Sequence, residues 1–376
     1  MMSRHTYFVM CARGLEPLLH EEIKALEMGK VERQTGGVRF EGTRTDGMRA
    51  NLWLRTAGRV LLRLSRFAAG SSDSLYEGAK RIPWENWMKP DGSLRVDAQV
   101  TDSAVDHSRF AEQRVKDAIC DRFRDIAGRR PDVAGEDADL RVHLHLYKDR
   151  AVISLDSSGS PLRKRGWRVA QGTAPLAETL SAGLVLASGW NGKAPLIDPF
   201  CGSGTILVEA GLIATNSAPG LERSFGFEQW PDHDAAAWQK LLDEARKAKK
   251  PVGKLRLVGH DMANDRLRET TDNLESAGLG EAAMITKADA RTFQPKAGWN
   301  AWIVSNLPYG RRIGRQDNLE GVHRDFGNCL KTNCVGFHAT LLTSAGQFAN
   351  SLGLHGAKKT ALANGGLECE RLVISL

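Results

Sequence analysis

The sequence has 376 residues, of which 41% are hydrophobic and 26% charged, and a net charge of +7. This length suits two or three domains, and the composition is that of a soluble globular protein. No apolar run approaches the roughly 18 residues of a membrane span, and early charges such as Arg4 and Glu16 argue against a signal peptide, so we expect a cytoplasmic protein.

The N-terminal part shows a mixed α and β pattern. Leucine and isoleucine recur at helical spacing in two segments, and short apolar or alternating runs between turn residues indicate strands. The predicted elements are strands at 6–12 and 36–42, helices at 15–26 and 107–124, and a hairpin at 141–158.

From about residue 175 helices alternate with apolar strands. The predicted elements are helices at 175–190, 203–214 and 264–278, with Asn264 as N-cap, strands at 194–200, 255–261, 282–289 and 301–306, and a hairpin at 358–375 around Asn364-Gly365-Gly366. Repeated β–α units predict a doubly wound, mostly parallel sheet, here closed by an antiparallel hairpin.

Basic residues cluster in two places, in the Ser/Gly/Pro-rich connection at 157–168 and after the strand at 301–306. The clusters comprise Arg163, Lys164, Arg165 and Arg168, and Arg311, Arg312 and Arg315. Such clusters are compatible with a polyanionic partner, although most belong to solvated loops.

The six cysteines form no C-x-x-C pair, which suits reduced thiols in a cytosolic protein. His323, Cys329, Cys334 and His338 have spacings that fit no standard zinc ligand set. We expect no metal.

A glycine-rich turn follows the strand at 194–200, in the string LIDPFCGSGT (196–205). Gly202 and Gly204 permit close backbone approach, and the next helix begins with unpaired N–H groups. In open α/β sheets ligands lie at such strand ends, although a tight βα turn also needs glycines for its geometry alone.

Two acidic residues lie at the ends of the next two strands. Asp261 can accept both ribose hydroxyls of a nucleoside cofactor, and Asp289 can accept from an adenine amino group, although each alone can be a capping residue. The turn matches neither the triphosphate-binding P-loop nor the dinucleotide G-x-G-x-x-G motif.

With these motifs the C-terminal half resembles the class I S-adenosylmethionine-dependent methyltransferases. In that family the glycine loop packs against the methionine end of the cofactor, and the two acids hold the ribose and the adenine. The resemblance implies S-adenosylmethionine as cofactor, bound by Asp198, Pro199, Phe200, Cys201, Gly202, Ser203, Gly204, Thr205, Asp261, Met262, Asp289, Ala290 and Asn306.

The strand at 301–306 ends in Asn306-Leu307-Pro308-Tyr309, which resembles the [DNS]-P-P-[YFW] motif of amino-methyltransferases. The Asn306 side-chain oxygen and the Leu307 carbonyl can accept the two N–H groups of a base amine whose nitrogen becomes positive. Pro308 fixes the turn, and Tyr309 offers a stacking face for a flipped base. Leu307 replaces the usual first proline, so some rigidity is lost and an extra N–H appears.

The N-terminal half resembles the ferredoxin-like and THUMP regions of large-subunit (23S) ribosomal RNA guanine-N2 methyltransferases. The resemblance rests on RGLEPLLHEEIKAL, GGVRFEG, NLWLRTAGRVLLRL, SLYEGAKRIPWENW, HSRFAEQRVKDAICDRF and the linker LRKRGWRVAQGTAPLAETL. It implies a ferredoxin-like part at 1–44, a THUMP RNA-binding domain at 45–157, and a linker with the methyltransferase domain at 158–376.

The same resemblance implies further roles. Thr173, Glu178 and Thr179 lie near the cofactor in that family, and Arg163, Lys164, Arg165, Arg168, Arg311 and Arg312 are expected to contact RNA phosphates. Trp84, Trp87 and Trp167 either stack on RNA or pack in the interior. Some members carry a second methyltransferase domain, and we expect none in this chain.

Three other functions are compatible with parts of this pattern. A tRNA guanine-N2 methyltransferase shares the THUMP plan, and a DNA adenine-N6 methyltransferase shares the catalytic corner. A non-catalytic RNA-binding assembly factor is a third alternative, against which the glycine turn, both acids and Asn306 argue.

Overall fold

A computed structural model describes residues 3–135, 137–170, 176–296, 298–309 and 316–376, with the backbone alone at 316–318. The described chain forms two β-sheets with helices packed against them. The strands are β1 (His5–Met10), β2 (Val31–Gln34), β3 (Gly37–Gly42), β4 (Arg59–Ala68), β5 (Ser93–Thr101), β6 (Asp132–Val133), β7 (Leu140–Tyr147), β8 (Arg150–Asp156), β9 (Leu196–Asp198), β10 (Leu257–Asp261), β11 (Ala283–Lys287), β12 (Trp302–Asn306), β13 (His338–Ser344), β14 (Lys358–Asn364) and β15 (Leu367–Ser375).

The helices are α1 (Glu16–Ala25), α2 (Arg44–Trp53), α3 (Ser72–Lys80), α4 (Ser108–Ala127), α5 (Glu178–Ser188), α6 (Thr205–Ala214), α7 (Ala235–Ala248), α8 (Asn264–Ser276), α9 (Gln316–Asn333) and α10 (Gln347–Ser351). Short 3-10 helices span Trp84–Asn86, Gly226–Gln229, Gly280–Ala282 and Ala290–Thr292. Within the described residues no helix is both long enough and apolar enough to cross a membrane.

The first sheet has eight strands in the order β2-β3-β1-β4-β8-β7-β5-β6. Strand alternation sends one set of side chains, including Tyr7, Val60 and Leu144, into a core shared with the helices of this half. The predicted hairpin is β7–β8, whose turn residues Lys148 and Asp149 both have positive φ, as a two-residue hairpin turn requires.

The second sheet has the order β11-β10-β9-β12-β13-β15-β14. Its first five strands are parallel, and β15 pairs antiparallel with β13 and β14. The predicted doubly wound sheet with a closing hairpin is confirmed. The chain builds outward from β9 in one direction and from β12 in the other, so these adjacent strands form the topological switch point where ligands bind in such sheets.

Both faces of this second sheet are buried, as parallel sheets require. Neighbouring residues of β9 belong to different cores: Leu196 packs with α5 and α6 on one face, and Ile197 packs with α9 on the other. The short apolar strands in the sequence therefore alternate between two cores.

Residues 216–250 leave the second sheet and pack on the core of the first half. Phe225, Phe227 and Trp238 stack among themselves there, with ring centroids 5.1–5.6 Å apart. Trp84 and Trp167 are also buried, and their indole N–H groups donate to Ala79 O and Glu209 Oε1, so these two rings pack rather than face RNA.

The start of α8 differs by one residue from the prediction. Ala263 is the N-cap, and Asn264 is the first helical residue. No described side chain caps α8; the Ala263 N–H donates to Asp261 Oδ1 at 2.9 Å, which closes the turn between β10 and α8.

Candidate active site

The carboxyl ends of β9, β10 and β12 bring three predicted site residues to one edge of the second sheet. β9 lies between β10 and β12, with Asp198 paired to Gly259 and Ile197 to Ile303. Because the three strands are parallel, they end on the same edge of the sheet, so Asp198, Asp261 and Asn306 all lie at the switch point. The glycine turn that follows β9 lies on the same edge.

The glycine turn is fixed by contacts on both sides. Gly202 and Gly204 have φ of 55° and 79°, which L side chains resist, and a Cβ on Gly204 would lie 2.8 Å from Thr270 Cγ2. The Gly202 N–H donates to Asp261 Oδ2 at 3.1 Å, and Thr270 Oγ1 donates to the Gly202 carbonyl at 2.6 Å. The turn is therefore fixed against α8, and its two glycines leave the backbone uncovered by side chains.

Asp261 accepts two backbone N–H groups, from Gly202 and Ala263, one on each carboxylate oxygen. A carboxylate has about four lone-pair sites, so acceptor capacity remains for hydroxyl groups of a ligand. Next to it Met262 is 55% exposed.

Asp289 and Ala290 follow β11 at the same edge. Arg291 forms an ion pair with Asp289 at 2.6 Å, and this contact lowers the pKa of the Asp289 carboxyl. Ala290 is buried. An adenine amino group that bonded to Asp289 would therefore share this carboxylate with Arg291.

Asp198 is buried at the end of β9. Ser305 Oγ donates to Asp198 Oδ1 at 2.6 Å, and the Phe200 N–H donates to the same oxygen at 3.2 Å. Burial raises the pKa of Asp198 to about 7, against the lowering effect of these two donors. Asp198 thus links β9 to β12, next to Asn306. Pro199 follows it, and Cys201 and Ser203 are also buried.

Asp198→Asn should flatten the pH dependence of stability. The folded carboxyl holds its proton up to about pH 7, whereas an unfolded Asp ionises near 3.8. Its contribution to stability is therefore complete below the unfolded pKa and is lost as pH rises towards the folded pKa. We expect the melting temperature of the ligand-free wild type to fall over this range, and that of Asp198→Asn to fall less. Equal slopes would contradict the buried, protonated Asp198.

The corner at Asn306 contains an unsatisfied polar atom. Asn306 Oδ1 is buried and accepts no hydrogen bond within the described residues. Buried acceptors are almost always paired, so a donor from outside the described residues is needed to satisfy this oxygen. Pro308 follows Leu307 and is partly buried.

Leu307, which stands where the usual motif has a proline, is held by both its backbone and its side chain. Its N–H donates to the Leu342 carbonyl on β13 at 2.9 Å, and its side chain is only 1% exposed, in the core beside α9. The extra N–H is satisfied, and the corner is held by a backbone hydrogen bond and by packing.

Tyr309 is partly buried beside the terminal hairpin. Asn364 Nδ2 donates to the Tyr309 hydroxyl at 2.7 Å, and burial raises the pKa of the phenol, which stays protonated. The Ala363 N–H donates to the Arg13 carbonyl at 3.3 Å. The ring is therefore oriented by a hairpin that also contacts the N-terminal half.

Arg168 is a correction to the predicted phosphate contacts. Its guanidinium pairs with Glu178 at 2.7 Å and donates to Ser203 Oγ at 3.2 Å and Thr205 Oγ1 at 2.9 Å. Its side chain is 13% exposed. Arg168 thus holds the glycine turn and the first turn of α6, and Glu178, with the neighbouring Thr179, lies close to that turn.

Arg165 is a second correction. It is buried, pairs with the fully buried Glu209 at 3.5 Å, and donates to the Leu162 carbonyl at 2.8 Å. A side chain in this position cannot reach a phosphate. Arg163 and Lys164 are exposed. The sequence predicts the same role for all three neighbours because they are adjacent, but their surroundings differ. Thr173, Arg311 and Arg312 lie outside the described residues.

The four residues considered for a metal have other contacts. His323 bonds to Leu319 O and Thr343 Oγ1, Cys329 donates to Arg291 O, and His338 bonds to Ser375 Oγ. Cys334 is buried in the apolar core. Across the described ranges no group of three or more His, Cys, Asp or Glu side chains could hold a metal ion.

Several residues of the site were missed from the sequence. Asn273, fully buried on α8, donates to the carbonyls of Ser203 and Ala170 at 2.9 Å and accepts the Val169 N–H. Asn273 thus joins residues 169–170, at the end of the segment between the two halves, to the glycine turn. An Asn on the apolar side of a helix is the one local signal that could have identified it, whereas Ser305 and Asn364 carry none.

Comparison with known proteins places the chain in a family. Three family models match it, described as RlmL ferredoxin-like domain (residues 6–61), THUMP domain (69–156) and RMKL-like methyltransferase domain (165–372). Together they cover most of the chain in the order expected from the sequence. The domain boundaries at 44 and 157 stay a prediction.

Relatives and solved structures agree with this. The large-subunit ribosomal RNA methyltransferase K/L of Methylococcus capsulatus is 39% identical over all of this chain and 52% of its own length. The chain spans about half the length of the curated relatives it matches.

Solved structures match over nearly the full length of the chain, and two of them illustrate the likeness. SMU.472 in complex with SAH has a TM-score of 0.89 at 26% identity and covers 100% of this chain and 99% of its own. A Listeria monocytogenes protein named a predicted N6-adenine-specific DNA methylase has a TM-score of 0.87 at 30% identity, covering 100% and 97%. The resemblance drawn from the sequence is confirmed: the chain belongs to the RMKL-like methyltransferase family and carries RlmL ferredoxin-like and THUMP domains before its methyltransferase domain.

Proposed function

We propose that this chain transfers a methyl group from S-adenosylmethionine to the exocyclic N2 of a guanosine in 23S ribosomal RNA. The observation that carries the proposal is Asn306 Oδ1 at the switch point, beside the glycine turn, which is buried and has no hydrogen-bond partner among the described residues. An acceptor left without a partner at a ligand-binding edge suits an amine that donates to it.

The residues at this edge fit the cofactor. The glycine turn at 202–204 and the start of α6 suit the methionine end, and Asp261 has acceptor capacity left for ribose hydroxyls. Asp289 and Ala290 suit the adenine. S-adenosylmethionine supplies an electrophilic methyl group when bound. SMU.472, which is similar over its full length, is described in complex with SAH.

The chain's own residues address the weakness of a base amine as a nucleophile. Its lone pair is delocalised into the ring, and its nitrogen becomes positive as the new bond forms. Asn306 Oδ1 and the neighbouring Leu307 carbonyl accept the two N–H groups and stabilise that charge. Tyr309, held by Asn364, presents its ring to a base taken out of its stack.

The substrate follows from the relatives. Proteins 37–40% identical to this chain are named large-subunit ribosomal RNA methyltransferases, and the THUMP domain favours RNA. A DNA adenine-N6 methyltransferase is the second candidate, because the Listeria monocytogenes protein carries that name and the same corner accepts either amine. A tRNA guanine-N2 methyltransferase and a non-catalytic RNA-binding protein stay as alternatives.

Methyl transfer from tritiated S-adenosylmethionine tests this directly. Purified 23S rRNA, tRNA and DNA are offered separately, and the labelled nucleoside is identified by mass spectrometry. We expect N2-methylguanosine from 23S rRNA lacking its natural methylation. N6-methyladenosine in DNA, or label in tRNA alone, would show that the substrate is DNA or tRNA and not 23S rRNA. No transfer to any of the three nucleic acids would contradict the proposal that the chain is a methyltransferase.

A further inference from the structure

One face of the first sheet lies outside the apolar cores. In β1, β4, β8 and β7 the side chains that alternate with core residues point away from the helices, and none of them belongs to a core cluster of the described chain. We call this set the open face. Its exposed or partly exposed members include Phe8, Arg63, Arg66, His145, Tyr147 and Arg150, whereas Leu61, Arg141, Ser154 and Asp156 share the face but are buried.

Strand register places these side chains next to one another. Tyr147 pairs with Arg150 and His145 with Val152, which in turn pairs with Arg66 on β4. Arg63 Nη2 donates to Thr6 Oγ1 at 2.9 Å on the neighbouring strand, which confirms that both point to the same face. The members therefore run as a continuous band across four strands.

Positive charge on the open face is only partly neutralised. Asp97 pairs with Arg95 and Arg141, and Asp156 pairs with Arg59. Arg66 and Arg150 are exposed, and their side chains form no hydrogen bond or ion pair with a described residue. Burial and the nearby guanidinium groups of Arg39 and Arg66 lower the pKa of Arg63. Such crowding of like charges is unfavourable unless an anion relieves it.

Aromatic rings lie among these cations. His145 and Tyr147 stack at an interplanar angle of 14° with centroids 6.4 Å apart, and Tyr147 is 43% exposed. Lys148 Nζ lies 5.2 Å from the Tyr147 ring. Exposed rings beside unpaired cations are the combination with which proteins bind single-stranded nucleic acid.

The open face continues towards the candidate active site. Met10 and Arg59 pair across β1 and β4 at its end, and both line a pocket of about 290 Å³ with Arg163 and Thr179. Thr179 follows Glu178, whose partner Arg168 contacts the glycine turn. A strand lying on the band would thus be led to the edge where Asn306 lies.

We propose that the open face of the first sheet, rather than the helical face of the THUMP domain, holds a single-stranded segment of the RNA substrate and directs it past Arg59 and Arg163 to the catalytic edge. This inference rests on the proposed function, since it concerns the same substrate. Single-stranded RNA is the occupant argued for because rings and cations alternate along the band as they do in single-strand binding grooves. Arginine and aromatic residues are also enriched at protein interfaces, so docking of a protein is one of the outcomes of the test.

Matched pairs of substitutions test the surface. Arg66→Gln with Arg150→Gln removes two cations from the open face. Arg109→Gln with Arg129→Gln removes two exposed cations from α4 and the residues after it. The full chain of each variant is titrated with a labelled 23S rRNA fragment that the wild type methylates, at several salt concentrations. Melting temperature and SAH binding check that each variant is folded.

We expect the open-face pair to weaken RNA binding and to lower the slope of log affinity against log salt by about 1.4, because each lost single-strand phosphate contact removes roughly 0.7. Tyr147→Ala should weaken binding about 5-fold or more at every salt concentration, as loss of one base stack does. The control pair should keep the wild-type slope.

Other outcomes separate the two proposals. If the wild type methylates and binds RNA but the open-face variants bind as tightly as the wild type, the surface is wrong while the function stands. That result includes the case in which the face docks a protein. If the control pair alone loses affinity, RNA lies on the helical face. If the wild type neither binds nor methylates RNA, both proposals fail.

Discussion

Asn306→Ala should lower the rate of methyl transfer by about 10²- to 10³-fold, the usual cost of removing one preorganised group at developing charge. Its Oδ1 is a buried acceptor at the switch point without a partner in the described part of the chain, and we propose that it stabilises the amine nitrogen as that nitrogen becomes positive, so its loss removes stabilisation that arises only during the reaction. The affinity for RNA should stay close to that of the wild type, and the affinity for SAH should fall much less than the rate, although the resemblance also places Asn306 beside the cofactor. Single-turnover methylation measures the rate, and calorimetry measures SAH binding.

Asn364→Ala provides a graded comparison for this prediction. It removes the 2.7 Å hydrogen bond to the Tyr309 hydroxyl but leaves both acceptors for the amine in place. We expect a smaller loss of rate than in Asn306→Ala. An Asn306→Ala variant that keeps wild-type turnover would refute the role given to the amide, and one that loses SAH binding would make it a cofactor residue instead.

Asp261→Ala should abolish measurable binding of SAH. The carboxylate is proposed to accept ribose hydroxyls, and it also holds the Gly202 N–H at 3.1 Å and the Ala263 N–H at 2.9 Å. Its removal therefore deletes a ligand contact and releases the glycine turn. At a ligand concentration 100 times its Kd, binding stabilises a protein by about 2.7 kcal/mol. The wild type should melt at a higher temperature with SAH, and Asp261→Ala should show no change.

Asp265→Ala is the matched control, because Asp265 is an exposed acid four residues further along, in the first turn of α8. It should keep the full SAH-dependent shift. A shift in Asp261→Ala as large as in the control would show that the acid only holds the two backbone turns and does not contact the cofactor. No shift in the wild type would remove the cofactor from the proposal.

The parallel sheet and its ligand edge could be predicted because their signals are local. A short apolar strand such as Leu196–Asp198, followed by Gly202 and Gly204, indicates both the end of the strand and the turn within ten residues. Asn306 is likewise recognisable from the four residues of its corner.

The surroundings of charged side chains could not be predicted, because they depend on distant residues. Arg163 and Arg165 are two positions apart, yet one is exposed and the other pairs with Glu209, which is 44 residues away. The order of strands in the first sheet is equally non-local, since β4 pairs with β8 about ninety residues later. For the same reason the packing of Phe225 and Trp238 on the N-terminal core has no signal in the sequence.

Leu307 has a consequence for how this corner can change during evolution. A proline there could not donate to the Leu342 carbonyl, and it would leave space where the leucine side chain packs beside α9. Replacing it with the residue usual in related motifs would therefore require compensating changes in β13 and in that core. In this chain the residue at the corner and its partners in β13 and α9 therefore form one unit, in which a change at position 307 alone would cost stability.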